Sequence, residues 1–267
     1  NNITIIGGGI VGASIAYHLA STGKAGDIVV VERDTTYEKA ATPRGSGGIR
    51  QLFSLPENIE MARVGLKFYQ KFDSIMRTET QPASISFRRQ GYLFVSDGGD
   101  AKTMVENFEK QQKLGVNAEI LDRHSISQLF PSINCKDINL AVYSPDDAWI
   151  DAYSALQSFR AKSRDLGVNF LEDEIVAGDI EKGKISRLHS SSGQILKQDI
   201  VVLAAGAWSK KVASFFNVSL PIEPMSRESY FFRCEKELEP LPFIKTETDL
   251  AFRPEGDGYT GGVPDWS

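Results

Sequence analysis

The sequence predicts an α/β fold, and three observations predict it. A short apolar run at Ile3–Ile6 passes through the glycine turn GGGIVG into a helical pattern, and a second apolar run, 28–31, follows. Later segments hold several amphipathic helical patterns, a β-branched and aromatic run over 85–95, and a set of short strands over 168–203. That set of short strands ends in IVVLAAGAWS, which delivers an apolar strand straight into small residues. At 267 residues, with 41% hydrophobic and 24% charged residues, the chain can bury one large core or two modest ones.

The first unit reads as strand, glycine turn, helix, strand. Gly7-x-Gly9-x-x-Gly12 opens the helix, and Glu32 follows Gly12 by 20 residues. That is the spacing of a Rossmann-like dinucleotide fingerprint. Gly7 allows the tight turn, Gly9 lets a pyrophosphate approach the backbone, and Gly12 lets helix and strand pack closely. The free N–H groups at the helix start favour phosphate, and the Glu32 carboxylate can accept from ribose hydroxyls. Glu32 would repel a 2′-phosphate, which argues against NADP. A lone GxGxxG also fits an unrelated glycine turn; the flanking strand and helix and the well-spaced acid make dinucleotide binding the better reading. The motif does not choose between FAD and NAD.

After Glu32 the strand–helix alternation stops. A polar segment, 34–44, leads into GSGGIRQLFS at 45–54. Ser54-x-x-Glu57 then reads as a capping box before one long amphipathic helix with Ile59, Ala62, Leu66, Tyr69, Phe72 and Met76 on its buried face. A strand is expected over 85–95 around Gly91. Helices are expected over 100–114, stopped by Gly115, and near Ser125, stopped by Pro131. Asp151 is expected to cap a helix to Leu166 that ends at Gly167. Short strands fill 168–203, with turns at 181–183 and 190–193. Ala204, Ala205 and Gly206 would let backbone approach a ligand closely.

Several function classes are disfavoured. A formal charge of −5 gives no reason to expect nucleic acid as a partner. Cys135 and Cys234 form no CxxC and read as two buried thiols, and the 3 histidines lack a metal-ligand spacing, so no metal is expected. No apolar run is long enough to span a membrane. The chain reads as cytoplasmic, with room for a targeting segment upstream of Asn1.

The segments IIGGGIVGASIAYHLA, VVVERD, GSGGIRQLFSLPENIEMA, DDAWIDAY and IVVLAAGAWS, in that order, resemble the D-amino-acid oxidase (DAO) family of FAD-dependent oxidoreductases. RQLFSLPENI and DDAWIDAY are most similar to its group named FAD-dependent oxidoreductase domain-containing protein, beside the sarcosine and dimethylglycine dehydrogenases. The resemblance implies a Rossmann-like FAD-binding domain of glutathione-reductase type, residues 1–80 and 140–217, interleaved with a mixed-sheet α+β substrate domain, residues 81–139 and 218–267. It implies a cofactor site drawn from Gly7, Gly9, Ile10, Val11, Gly12, Glu32, Arg33, Arg44, Ser46, Gly47, Gly48, Ile49, Val176, Ala205, Gly206 and Trp208, with Val176 on the adenine side.

Its implied reaction is oxidation of the C–N bond of a small amino acid or N-methylated amine by hydride transfer to the flavin. Arg50 and Arg253 are the implied catalytic cations, although each also fits a surface arginine paired with nearby groups. Sarcosine oxidases carry a lysine at the position aligned with Thr260, which favours a dehydrogenase with an unknown electron acceptor. No histidine occurs in 41–48, so FAD is expected to be noncovalent. Family members continue past GGVPDWS, which implies a pocket completed by residues outside this chain. A 2-hydroxy-acid dehydrogenase and a non-catalytic flavin-binding assembly protein are the alternatives.

Overall fold

The computed structural model describes residues 1–263. The chain divides into two compact units, one made of residues 1–45, 72–85 and 152–225 and the other of residues 46–71, 86–151 and 226–267. Residues 264–267, part of the expected substrate domain, lie outside the described residues.

The first unit is built on a four-stranded parallel sheet in the spatial order Ile200–Leu203, Ile3–Ile6, Ile28–Glu32, Asn169–Glu172. Three of its strands, Ile3–Ile6, Ile28–Glu32 and Ile200–Leu203, are apolar runs, as a parallel sheet covered on its faces requires. Helix Ile10–Ser21 packs beside helix Ala152–Asp165, with the Tyr17 and Phe159 rings 5.7 Å apart. Ile3, Ile5, Ala16, Ile28, Val30 and Val168 form the core between them. The strand missing after Glu32 is therefore Asn169–Glu172, which joins the sheet only after the chain has built most of the second unit. An antiparallel sheet, Ile175–Glu181, Lys184–Ser190 and Ile195–Leu196, completes the unit. Its first turn uses Lys182 (φ 51°) and Gly183 (φ +76°), two successive left-handed residues of the kind that suit a tight hairpin.

The second unit carries a seven-stranded mixed sheet in the order Tyr230–Phe232, Gly258–Gly262, Ala251–Glu255, Phe243–Thr246, Tyr92–Ser96, Leu140–Ser144, Glu119–Asp122. Only the pairing of Phe243–Thr246 with Tyr92–Ser96 is parallel. A small sheet pairs Gly48–Ile49 and Arg88–Arg89 with Ala148–Trp149. The α/β class and the mixed second sheet are as the sequence predicts.

Five details differ from expectation. The capping box does not form: the helix runs Pro56–Gln70, its N-cap is Leu55, and no side chain caps it. Pro56 is the cause, because proline drives the preceding residue into extended backbone, here φ −95°, ψ 131°, while its own φ suits the first helical turn. The long helix also ends at Lys71 and restarts as Phe72–Met76, so Ile59 and Leu66 are buried in the second unit and Phe72 and Met76 in the first. The strand over 85–95 is two strands, Arg88–Arg89 and Tyr92–Ser96, parted at Gly91 (φ +81°). Cys135 is buried, but Cys234 is exposed. Residues 46–71 and 140–151, expected with the FAD domain, cluster with the second unit, since Gly48 pairs with Trp149 and Gln51 bonds to Asp147.

Candidate functional site

In the first unit the three fingerprint glycines stand in three different environments. Gly7 has φ +101°, and a Cβ there would lie 2.5 Å from the Ala204 carbonyl oxygen. A Cβ on Gly12 would overlap the Gly7 carbonyl oxygen and sit 3.3 Å from Ile5 Cγ2. Gly9 is open, with only Thr42 Oγ1 at 3.7 Å from such a Cβ. Two of the glycines are needed for packing, and the third leaves bare backbone at a helix start. Gly9 is the N-cap of Ile10–Ser21, no side chain of its own caps the helix, and Val11 in its first turn is 60% exposed. That arrangement is an anion site in waiting.

The loop is held from outside. The Glu32 carboxylate accepts from the Gly8 N–H at 2.7 Å and the Asp34 N–H at 3.0 Å, retaining lone pairs for further donors. The buried Tyr37 hydroxyl donates to the Gly8 carbonyl at 2.9 Å, and burial pushes this phenol up to about 12, so it stays a donor. Thr42 Oγ1 accepts from the Ile10 N–H at 3.3 Å. Tyr37 and Thr42 were not singled out from sequence. Both lie in the polar segment after Glu32, which carries no periodic signal, and only the loop's return onto the glycine turn reveals them.

At the same carboxyl-terminal end of this parallel sheet the remaining residues form a second cluster. Strand Ile175–Glu181 shifts register between Ile175, paired with Ser190, and Ala177, paired with His189, so Val176 is the bulged residue. A bulge leaves its extra residue out of the ladder, which suits a backbone contact to a ligand. Asp173 fixes this corner by accepting from the hydroxyls of Ser191 at 2.7 Å and Ser192 at 2.5 Å and from the Ser192 and Glu174 N–H groups. Hydrogen bonds from the three serines 190–192 hold its carboxyl well below the usual range. Arg33 lies over the Trp208 ring at 4.1 Å and pairs with Glu174 at 3.8 Å. Ala205 precedes the 3₁₀ turn Gly206–Trp208, and Gly206 has φ +52° with nothing within 4 Å of its missing Cβ. Arg44 donates from Nε and Nη2 to the Glu38 carbonyl, at 3.1 and 2.7 Å, so its guanidinium is committed to the loop that contains it.

In the second unit the turn through Ser46, Gly47, Gly48 and Ile49 is pinned against the strand Ala148–Trp149. Gly47 (φ +66°) accepts from the Ile150 N–H at 3.0 Å, and a Cβ on Gly48 would overlap the Tyr92 hydroxyl. Arg253 is 7% exposed. Its Nε donates to the Ser46 carbonyl at 2.7 Å, and its Nη1 reaches the Pro254 carbonyl and the Glu255 carboxylate. Those bonds make it a clamp on the turn. Arg50 is different: its guanidinium lies over Phe53 at 4.6 Å and Phe94 at 5.5 Å, and its buried Nε has no partner. Thr260 sits opposite Phe231 and Arg253 in the sheet, its hydroxyl 3.2 Å from Ser229 Oγ.

The model of the family described as "DAO: FAD dependent oxidoreductase" matches residues 2–265. The chain belongs to this family. It is 31% identical over 293 residues to FAD-dependent oxidoreductase domain-containing protein 1 of Xenopus laevis, covering 96% of this chain and 58% of that protein. It is 24% identical to the mitochondrial dimethylglycine dehydrogenase of Homo sapiens, covering 97% of this chain and 30% of that one. The chain thus spans less than two thirds of the length of the curated relatives it matches. Among solved structures, L-proline dehydrogenase from P. horikoshii superposes with a TM-score of 0.84 at 23% identity, over 100% of this chain and 72% of that one. Glycine oxidase from Bacillus cereus gives 0.80 at 24%, with the same coverage. These likenesses establish the fold.

The family cofactor, FAD, fits the residues present. The open Gly9 backbone, the exposed first turn of Ile10–Ser21 and the spare acceptor capacity of Glu32 match a pyrophosphate and a ribose. Among the described residues no group of three or more histidine, cysteine, aspartate or glutamate side chains could hold a metal ion. No described helix is long and apolar enough to cross a membrane.

Proposed function

We propose that this chain holds noncovalent FAD and oxidises the C–N bond of a small amino acid or N-methylated amine, as a dehydrogenase. One observation carries the reading beyond the family: Arg50, a cation on two aromatic faces whose buried Nε lacks a partner. A planar guanidinium with free donors in apolar surroundings is built to take a carboxylate, and burial strengthens the pair. Arg253, spent on Ser46 and Glu255, supports the turn rather than the substrate.

The residues would divide the work by position. Gly9, Ile10 and Val11 would take the pyrophosphate, Glu32 the ribose, and Val176 with the Arg33–Trp208 pair the adenine side. In the second unit, Ser46–Ile49 present the backbone that the resemblance assigns to the ring system; in the first, Gly206 has nothing within 4 Å of its missing Cβ. When bound, FAD supplies the acceptor for the hydride. Arg50 would hold the carboxylate so that the carbon bearing the neutral amine is presented in one orientation. Loss of hydride from that carbon leaves an iminium ion, which becomes an imine where the nitrogen has a proton to give up, and water hydrolyses either one to carbonyl and amine. The absence of a lysine at Thr260 favours an acceptor other than oxygen, since no fixed cation there would stabilise a reduced oxygen species.

The test is anaerobic bleaching of the flavin in the full-length protein against sarcosine, dimethylglycine, glycine, D-amino acids and 2-hydroxyglutarate. Bleaching by an amine or amino acid, lost in Arg50→Ala, is the expected result. Bleaching by 2-hydroxyglutarate alone would move the reading to a hydroxy-acid dehydrogenase, and bleaching by none would leave a flavin-binding assembly protein.

A further inference from the structure

Beside Arg50 lies a charge that this reading has not used. Asp147 is 0% exposed, and its carboxylate grips the residue next to Arg50 by two routes. Oδ2 accepts the Gln51 main-chain N–H at 3.0 Å, and Oδ1 accepts Gln51 Nε2 at 2.9 Å. Its own carbonyl accepts from the Gly91 N–H at 2.9 Å, so the residue is tied to one further segment of the second unit. Burying a carboxylate this completely costs stability that an apolar residue would spare. Such a charge is retained where it holds something in place.

We propose that Asp147 is a positioning residue for Arg50: by clamping Gln51 through both main chain and side chain, it fixes where the Arg50 guanidinium meets a substrate carboxylate. The inference rests on the reading of Arg50 as the carboxylate anchor. Both Gln51 groups are donors, so the clamp needs an acceptor at each Asp147 oxygen. A protonated Asp147 offers one acceptor fewer and lets go of half of Gln51. Burial raises this carboxyl to about 6, against the pull of the Gln51 hydrogen bonds, so the release falls inside an accessible pH range.

Asp147 is faced by groups from its own segment and from the strand Tyr92–Ser96. On its own segment, Asp146 raises it further while pairing with Arg89. From the strand Tyr92–Ser96 comes the Tyr92 phenol, which burial keeps protonated; Arg50, Asp147 and Arg253 all act on that phenol.

The experiment uses the full-length, FAD-loaded protein and reads ligand binding from the flavin absorbance change, without turnover. The probe is methoxyacetate, which stays ionised from pH 5 to 8; its neutral amide, methoxyacetamide, is the control. Wild type should bind methoxyacetate more weakly as pH falls through about 6. Asp147→Asn should weaken it about tenfold at neutral pH, the scale of one charge-assisted hydrogen bond, and abolish the pH dependence. The amide should bind alike in both. Gln51→Met, which removes only the side-chain half of the clamp, should give an intermediate loss, and serves if Asp147→Asn does not fold. Wild-type affinity and an unchanged pH limb in Asp147→Asn, or wild-type affinity in Gln51→Met, would overturn the inference. Equal binding by Arg50→Ala and wild type would instead overturn the anchor reading beneath it.

Discussion

Alanine at Gly12 and alanine at Gly9 should have opposite consequences, although the two glycines belong to one motif. At Gly12 the new methyl would penetrate the Gly7 carbonyl oxygen, far inside the ~3.5 Å of a favourable contact. Neither partner can retreat cheaply: Gly7 is bonded to Val31 through its N–H at 2.9 Å, and Gly12 lies in the helix Ile10–Ser21 that packs on the core of Ile3, Ile5 and Val30. Overpacking of this kind costs about 3 kcal/mol. For a chain of this size that is a fall of ~6–12 °C in the unfolding midpoint. At Gly9 the nearest atom to a new Cβ is 3.7 Å away, and φ −61° is open to any residue, so apo stability should change by less than ~0.5 kcal/mol.

What Gly9→Ala should lose is cofactor. The methyl stands where a pyrophosphate must come against the backbone, and forfeiting one charge-assisted bond there weakens FAD about tenfold or more. Thermal unfolding of the apo proteins, followed by flavin fluorescence titration of each, separates the two effects. An apo Gly9→Ala protein that melts as early as Gly12→Ala, or a Gly12→Ala protein with the wild-type midpoint, would refute the division of labour drawn here.

Two further outcomes follow from the clamps. Tyr37→Phe removes the donor to the Gly8 carbonyl and should cost about 1 kcal/mol in apo stability; because the loop is then less well ordered, FAD affinity should fall several-fold, as titration of the variant would show. Asp173→Asn should lower the thermal midpoint at neutral pH, where the ionised carboxylate accepts from Ser191, Ser192 and Glu174. Because the folded-state pKa is depressed, that stabilisation is present above the unfolded value of about 3.9 and fades as pH falls below it. Melting curves of the two proteins should therefore stay apart from pH 7 to pH 4 and draw together only well below that, as pH falls towards the depressed folded-state value.

The parts legible in sequence were those governed by local rules. The fingerprint declares itself because Gly7, Gly12 and Glu32 answer to turn, packing and spacing, each readable within one βαβ unit. The helix Ala101–Lys113 and its stop at Gly115 (φ +77°) were readable for the same reason. The helix that breaks at Lys71 was not, since its apolar spacing runs unbroken from Ile59 to Met76 and only the division into two units assigns its ends to different cores. The role of Arg253 was hidden likewise: its partner, the Ser46 carbonyl, is 207 residues away and is a backbone atom, which no residue type announces.

The two glycine turns raise the same physical problem, and the fold answers it in the same way. A run such as Gly7-Gly8-Gly9 or Gly47-Gly48 lets a ligand approach the backbone because it has no side chains, yet for that reason it cannot fix its own conformation and loses more entropy on ordering than other residues would. In the first unit the Gly8 N–H is taken by the Glu32 carboxylate and the Gly8 carbonyl by the Tyr37 hydroxyl. In the second, the N–H of Gln51 is taken by the Asp147 carboxylate and the carbonyl of Ser46 by the Arg253 guanidinium. Each turn is thus held by one remote acceptor and one remote donor. If preorganisation is what those pairs supply, breaking either member should cost ligand affinity beyond what it costs in melting temperature, whereas a purely structural pair would lose only the latter.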